Sequence, residues 1–556
     1  MILSDEQLKA LVVSAKLTNQ KTLDDVVKFA GKQNVSLSEA LVQKNVTTDD
    51  ALGLIVANFL KVPFVNLSKT SISEDVFNLI PERVARRQKV IAFARDKDGL
   101  KVATSDPTNI TIQKVISKKT GEKIIPHFAT DRDIENILVN YKKDLQKIFN
   151  DLIREGIGGP PMAKVVDLLI ETAYNEKASD VHIEPSEKES LIRFRIDGVL
   201  HDILVLPKNL HDRMLTRIKV LSGLRTDEHL SAQDGKMRMK LESENLDIRI
   251  SIIPIVEGEK VVLRLLSSKS RMFTLSDLGM SERDLAIVTS AFSKSYGMIL
   301  STGPTGSGKT TTIYSILKII NTREKNITTI EDPVEYRIKG ANQVQVNAKT
   351  NLTFANGLRS ILRQDPNIIF VGEIRDSETA GIAVNAALTG HLVFSTLHTN
   401  DAATAIPRLT DMKVEPFLVA STVNIIVAQR LVRKICDFCR VSLTTTHEDL
   451  LKSLSDDVIN KHYIPVGRNR EIRVYKGRGC KACHFSGYSG RIGIYEVLEV
   501  TKSIRKLIVE RSDSDLIAKE AVREGMKTML DDGLQKVAKG LTTIEEVLRV
   551  SKTEFL

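Results

Sequence analysis

Nine consecutive residues carry the clearest chemical signal in the sequence. Gly303, four intervening residues and then Gly308, Lys309 and Thr310 satisfy the phosphate-loop pattern. Glycines in such a loop let backbone N–H groups approach phosphate oxygens, and the N-terminus of the following helix adds positive potential. We expect Lys309 to contact the β and γ phosphates of ATP, and Thr310 to ligate magnesium. The expected nucleotide-binding residues are Gly303, Pro304, Thr305, Gly306, Ser307, Gly308, Lys309, Thr310 and Thr311.

Acidic residues and histidines flank three apolar, strand-like segments downstream of this loop. The segments and their flanking residues are Ile327 to Ile330 before Glu331 and Asp332, Ile368 to Val371 before Gly372 and Glu373, and Leu392 to Ser395 between His391 and His398. Helical stretches separate the segments, which predicts a doubly wound parallel sheet. We therefore expect these acids and histidines to gather at the carboxyl ends of the strands, where γ-phosphate chemistry would take place.

The four cysteines of the chain form a second strong pattern. Cys436, Cys439, Cys480 and Cys483 make two CxxC pairs separated by forty residues. Four thiolates in two such turns predict a closed tetrahedral zinc site, which stabilises structure and leaves no open position for catalysis. Disulfides and a redox role are disfavoured, because we expect the protein to be cytoplasmic.

Composition limits the class of protein. With 556 residues, a hydrophobic share of 42%, 27% charged residues and a mean hydropathy of -0.09, the chain is typical of a soluble globular protein with three to five folded units. The N-terminus has no basic start and no unbroken apolar run, so we expect no secretory signal. The net charge of +10 favours anionic partners. Because the positive charge is scattered, direct nucleic-acid binding is not expected.

Three motifs behind the phosphate loop give the chain a recognisable order. TIEDPVEY, DPNIIFVGEIRD and TGHLVFSTLHTNDA follow one another, and together with the loop they closely resemble the ATPases that power type II secretion and type IV pilus assembly and retraction. The resemblance runs from about Ala163 to the C-terminus. It implies an α/β fold with a RecA-like parallel-sheet core, and a hexameric ATPase that uses ATP and magnesium.

The resemblance also suggests roles for single residues. Glu373 occupies the acid position that orients the attacking water or joins the metal shell. Glu331 would lend a carboxylate either to the outer shell of the metal or to the water, and the choice stays open. His391 and His398 match the box thought to sense the γ-phosphate. Arg193 matches an arginine that reaches the site of a neighbouring subunit. The second such position is Lys208, and alternative arginines are Arg195, Arg217, Arg249 and Arg264.

The expected division of the chain has five parts. Residues 1–141 resemble the N-terminal α/β domain that docks on an inner-membrane platform protein, and 142–162 form a linker. Residues 163–268 form a smaller α+β domain. Residues 269–500 form the ATPase core with a zinc insertion at about 430–490, and 501–556 form a helical subdomain. Some relatives bind cyclic di-GMP through RLG-containing repeats, and we find no such repeat here.

The function expected from these features is that of a motor at the cytoplasmic face of the inner membrane. The N-terminal domain and the tetracysteine pattern favour type IV pilus assembly, and the alternative is a type II secretion ATPase. A DNA-uptake or DNA-translocating motor is disfavoured by the scattered charge. A non-catalytic nucleotide-binding scaffold is disfavoured by the presence of Lys309, Thr310 and Glu373.

Overall fold

The structure is a computed structural model of the chain. It describes residues 3–15, 17–18, 20–33, 36–43, 46–138, 149, 162–241, 244–267, 274–462, 472–480 and 483–551. The expected linker at 142–162 lies outside the described residues, apart from Phe149 and Met162.

Helices make up the first part of the described chain. They are α1 (Asp5–Ser14), α2 (Gln20–Gln33), α3 (Leu37–Gln43) and α4 (Asp49–Leu60). At the start of α1, Ser4 and Gln7 form a capping box, which satisfies two N–H groups that the helix itself leaves without partners. The apolar side chains of these helices, among them Leu8 and Val56, share one buried cluster.

A small mixed sheet follows the helices. Its elements are α5 (Glu74–Phe77), α6 (Glu82–Gln88), β1 (Val90–Asp96), β2 (Gly99–Thr104), α7 (Ile110–Thr120), β3 (Ile124–Phe128) and α8 (Asp131–Leu138). The strand order is β1-β2-β3, with β1 antiparallel and β3 parallel to β2. The first four residues of β1 are apolar and buried, and they belong to the hydrophobic core of this unit.

The next unit is a six-stranded antiparallel sheet with two helices. It contains α9 (Met162–Asn175), β4 (Asp180–Pro185), β5 (Glu189–Ile196), β6 (Val199–Pro207), α10 (Lys208–Ser222), β7 (Gln233–Lys240), β8 (Asn245–Ile255) and β9 (Gly258–Leu266). The order is β6-β5-β4-β9-β8-β7. In β5, Ile192 and Phe194 are buried on one face of the sheet. Arg193 and Arg195, which alternate with them, are half-buried on the other face. This period of two is the pattern of a sheet with one covered face.

The core is a seven-stranded sheet in the order β12-β11-β13-β14-β10-β15-β18. Its strands are β10 (Gly297–Thr302), β11 (Ile327–Glu331), β12 (Asn342–Gln345), β13 (Ile368–Val371), β14 (Leu392–Leu397), β15 (Val423–Ile435) and β18 (Tyr488–Glu499). All the pairs are parallel except β15 with β18. Because helices cover both faces, β10 and β13 are buried along their whole length, and every residue of β13 is apolar.

Helices connect the strands of the core. They are α11 (Glu282–Phe292), α12 (Lys309–Ile320), α13 (Phe354–Leu362), α14 (Ser377–Leu388), α15 (Ala405–Asp411) and α16 (Pro416–Thr422). The helix α16 passes directly into β15, since Val423 already has extended backbone geometry.

A small sheet and a group of helices complete the described chain. Between β15 and β18 lie β16 (Arg440–Thr445), α17 (His447–Leu451), α18 (Asp456–His462) and β17 (Ile472–Gly477). The last helices are α19 (Lys502–Val509), α20 (Ser514–Arg523), α21 (Met529–Ala538) and α22 (Ile544–Ser551), and their apolar faces join the core cluster. The predicted α/β fold class with a parallel-sheet core is confirmed. The boundaries between its parts stay a prediction.

Candidate active site

The phosphate loop leaves the C-terminal end of β10 and enters α12. Gly303 has a φ of 141° and Gly308 a φ of 92°, both in the region that side chains disfavour. A Cβ atom at Gly303 would lie 2.5 Å from the carbonyl oxygen of Gln429, so a larger residue does not fit. The ammonium group of Lys309 donates to the carbonyls of Gly303 and Pro304 at 2.7 and 3.1 Å. Burial lowers the pKa of Lys309, and the nearby carboxylate of Glu373 opposes that effect.

Gln429 on β15 holds this loop from the neighbouring strand, and the sequence reasoning missed it. Its Nε2 donates to the carbonyl of Ser307 at 2.8 Å, and its Oε1 accepts from the hydroxyl of Thr312 at 2.8 Å. The residue is 1% exposed. A glutamine at the end of the apolar run VNIIVA was the available signal, because a buried amide needs partners.

Glu373 lies just beyond β13, at the same edge of the sheet as the phosphate loop. Its Oε2 contacts Nε of Arg375 at 2.7 Å and Nε2 of His398 at 3.3 Å, and its side chain is 12% exposed. Gly372 precedes it where the ends of β11 and β13 are close, and a Cβ there would lie 3.2 Å from Cα of Glu331. The position before Glu373 therefore has little room for the aspartate that many ATPases carry.

Glu331 ends β11 and is enclosed rather than open to the loop. One of its oxygens accepts from the hydroxyl of Tyr314, and the other accepts from Thr329 at 2.6 Å and from Gln343 at 3.2 Å. The residue is 3% exposed. Burial raises the pKa of Glu331, although the hydrogen bonds from Thr329 and Tyr314 favour its ionised form. This arrangement connects the helix after the phosphate loop to the edge of the sheet.

The two histidines lie at opposite edges of the sheet, which corrects the expectation that both gather at the carboxyl ends. His398 follows β14 and contacts Glu373. His391 precedes β14, and its Nδ1 donates to the carbonyl of Ala386 at 2.9 Å. The six residues of β14 between them, at about 3.3 Å each, separate the two edges by about 20 Å. Within this chain His391 therefore does not reach the nucleotide edge.

Two of the basic residues expected to serve a neighbouring site, Arg193 and Lys208, contact acids of the six-stranded unit itself. Arg193 contacts Glu184 at 2.5 Å, and Lys208 contacts Glu257 at 3.3 Å. The structure does not bring either one to the phosphate loop of the same chain.

Arg249 of the same unit contacts the core. It donates to the carbonyl of Val334 at 2.8 Å and lies 3.5 Å from Glu335, in the segment that follows Glu331. The antiparallel sheet and the acidic segment of the core are thus joined by one arginine.

The four cysteines meet, as the sequence predicts. Their sulfur atoms all lie within 4.8 Å of one another, and three of the pairs, Cys480 with Cys483, Cys436 with Cys480 and Cys439 with Cys483, are 3.8, 3.9 and 3.9 Å apart. Zinc–sulfur bonds of about 2.3 Å in a tetrahedron put the sulfur atoms about 3.8 Å apart. Backbone N–H groups of Gly479 and Gly487 also donate to Cys439 and Cys483 at 3.3 and 3.2 Å. The group fits a closed zinc site.

The cysteine cluster contacts two other parts of the chain. Phe438, between the first two cysteines, packs edge-on against Phe77 with ring centroids 5.5 Å apart. On the other side, Nε2 of His484 lies 3.0 Å from a carboxylate oxygen of Glu176. The cluster therefore joins the small N-terminal sheet to the six-stranded unit.

Comparison with known proteins agrees with this geometry. Residues 157–549 match the family model described as Type II/IV secretion system protein. The chain belongs to this family. Residues 60–146 match a second model, the MshEN domain. No helix among the described residues is long and apolar enough to cross a membrane.

Curated relatives cover nearly the whole chain. The type IV pilus assembly ATPase PilB of Myxococcus xanthus is 36% identical over 563 residues, with 98% of each chain covered. Type II secretion system protein E of Pectobacterium carotovorum subsp. carotovorum is 39% identical over 499 residues, covering 86% of this chain and 97% of its own. The solved structure of the Legionella pneumophila ATPase DotB matches 70% of this chain and 95% of its own, with 22% identity and a TM-score of 0.51. That last likeness concerns the fold alone.

Proposed function

We propose that this chain is a magnesium-dependent ATPase that acts as a homo-hexamer and powers type IV pilus assembly by driving an inner-membrane platform protein. The observation that carries the enzymatic part of the proposal is that Lys309 follows β10 and Glu373 follows β13, at the carboxyl ends of parallel strands of one sheet. Phosphoryl transfer from ATP uses a loop and a lysine that hold the phosphates and a residue that positions the attacking water, and this edge of the sheet offers both.

The residues of the loop and the sheet edge would divide the chemistry between them. Lys309 and the N–H groups of residues 303–311 would hold the phosphates, and the hydroxyl of Thr310 would ligate magnesium. Bound magnesium would neutralise charge that develops on the phosphates. Glu373 would orient a water and accept its proton as the water oxygen bonds to the γ-phosphorus and the bond to the β-phosphate oxygen breaks. Arg375 and His398 would keep the Glu373 carboxylate in place.

Other residues would act around this centre. We propose that Glu331 positions α12 through Tyr314, because both of its oxygens already accept hydrogen bonds. Arg193 would serve the site of a neighbouring subunit, where a guanidinium stabilises charge on the transferred phosphate. Because His391 lies at the far edge of the sheet, any sensing role for it would require a contact outside its own chain.

The N-terminal region supports pilus assembly. The PilB relative matches 98% of both chains, so its similarity includes the segment matched by the MshEN model. We propose that this part of the chain docks on the platform protein and keeps the motor at the inner membrane, with zinc held by the cysteine cluster. Type II secretion is the second candidate, because protein E of Pectobacterium carotovorum subsp. carotovorum matches 86% of the chain.

ATP hydrolysis by the purified full-length protein tests the enzymatic part of the proposal. We expect magnesium-dependent turnover by an assembly with the mass of six chains in light scattering. Glu373→Gln should bind ATP but hydrolyse it at least about a hundredfold more slowly, the size expected for loss of a general base. The matched control is Glu378→Gln, since Glu378 is 59% exposed and pairs with Arg359 on the surface. Equal rates for wild type and Glu373→Gln would remove Glu373 from the chemistry.

A deletion strain tests the biological part. We expect loss of surface pili, restored by the wild-type gene and not by Glu373→Gln. Intact pili with proteins retained inside the cell envelope would instead identify a secretion motor. Stimulation of ATP hydrolysis by DNA would favour a DNA-translocating motor.

A further inference from the structure

A cavity lies beside Glu373, outside the phosphate loop. It measures about 410 Å³ and is lined by Ile374, Arg375, His398, Arg408 and Met412. None of residues 303–311, all of which are described, lines it. The cavity is therefore separate from the loop that would hold the nucleotide, although it shares Arg375 and His398 with the partners of Glu373.

The basic groups around the cavity have unused hydrogen-bond donors. Arg375 uses Nε for Glu373, which leaves the four N–H groups on its two terminal nitrogens. The guanidinium of Arg408 has no hydrogen bond or ion pair to any described residue, even though Asp411 lies one helical turn away. His398 contacts Glu373 through Nε2, and its Nδ1 has no protein partner in the described part of the chain.

The apolar lining residues of the cavity are buried, whereas its basic side chains face solvent: Arg375 is 69% exposed and His398 is 45% exposed. Ile374 is 2% exposed and Met412 is 8% exposed. Two arginines over an apolar floor bind carboxylates and phosphates well, because a guanidinium presents paired donors and is weakly hydrated. The one carboxylate found in contact with these groups is Glu373, so the donors exceed the acceptors present in the described chain.

We propose that this cavity is an oxyanion site that binds phosphate or a carboxylate next to Glu373. This inference rests on the proposed function, because that function supplies both sources of the ligand. One source is the phosphate released by ATP hydrolysis, and the other is an acidic side chain of a second copy in the proposed hexamer. An anion held by the terminal nitrogens of Arg375 and by Arg408 shares the guanidinium of Arg375 with Glu373, which contacts its Nε. Occupancy of the cavity is thereby coupled to the position of the carboxylate proposed to activate water.

Calorimetric titration of inorganic phosphate into the full-length protein tests the site. The protein is first saturated with magnesium and a β,γ-imido analogue of ATP, so that the phosphate loop is filled and no hydrolysis occurs. We compare wild type with Arg408→Gln, whose exposed side chain makes no contact that the fold needs. The control is Arg511→Gln, which removes an arginine that is 74% exposed elsewhere on the core. Light scattering gives the mass of each protein.

The results separate the two sources of ligand. Phosphate binding that Arg408→Gln weakens at least about tenfold, the effect of losing one charge-assisted hydrogen bond, identifies free phosphate as the ligand. An assembly that binds no phosphate and that Arg408→Gln dissociates identifies a carboxylate of the neighbouring copy. Unchanged phosphate binding and unchanged mass in Arg408→Gln overturn the proposal. Because the titration needs no hydrolysis, its outcome is independent of the Glu373→Gln experiment.

Discussion

Replacing Gln429 by leucine tests whether β15 positions the phosphate loop. The substitution nearly preserves side-chain volume and removes the amide that donates to the carbonyl of Ser307 at 2.8 Å. Because residue 429 is 1% exposed, water cannot easily take over that contact. Thr312, the second partner, can turn its hydroxyl to Tyr495 instead. The long contact of the Ser301 hydroxyl with Oε1 of Gln429, at 3.4 Å, is also lost. We take the buried carbonyl of Ser307, left without a donor, as the main cost, at about 1–3 kcal/mol.

This free energy destabilises the closed conformation of the phosphate loop, which is the conformation that would bind ATP. If the loop opens to hydrate the carbonyl of Ser307, closing it again on a nucleotide consumes the same free energy. A cost of about 1–3 kcal/mol corresponds to a nucleotide affinity reduced roughly 5- to 150-fold. Titration with a fluorescent ATP analogue measures the affinity, and urea unfolding measures stability.

Asn424→Leu is the matched control, because Asn424 lies on the same strand, five residues earlier. It is 8% exposed, and its amide donates to the carbonyl of Tyr296 at 3.1 Å, at the edge of the sheet away from the loop. We expect both variants to lose stability and only Gln429→Leu to lose nucleotide affinity. Equal affinities in the two variants would refute a positioning role for Gln429.

Three further predictions follow from single contacts. His398→Ala should slow ATP hydrolysis at least about tenfold, because it loses the contact with Glu373. His391→Ala should lower thermal stability but leave turnover within about twofold, because the ring of His391 binds only the carbonyl of Ala386 among the contacts described above. Equal rates of hydrolysis in the two variants would contradict the separation of the two edges. Cys480→Ser should increase hydrogen exchange at residues 436–446 and around Phe77 while nucleotide binding persists, and loss of binding in a folded core would show that the cluster supports the nucleotide site. Burial opposes ionisation of Glu546, but hydrogen bonds from Arg433 and Arg549 outweigh it and lower its pKa from 4.5 to about 2. These two ion pairs should contribute about 3 kcal/mol above pH 4.5 that is lost as the pH falls towards 2, and urea unfolding at several pH values should show a smaller decline for Glu546→Gln.

Local patterns in the sequence were enough for part of the site. The glycines at 303 and 308 are required by the backbone of the loop itself, so their spacing predicts the loop without knowledge of its neighbours. The apolar run before Glu373 predicts a strand end for a similar reason. The cysteines were predictable as a cluster because each CxxC turn brings two sulfurs together and the metal geometry requires four.

The sequence by itself therefore determined the loop, the acid at the end of β13, the cysteine cluster and the family. Only the tertiary structure decided which of the flanking residues share an edge. His391 and His398 are seven residues apart, and the direction of β14 places them at opposite ends of the sheet. Gln429 is more than a hundred residues from Ser307 and reaches it because β15 pairs with β10. Strand order and burial depend on packing across the whole sheet, and no local spacing carries that information.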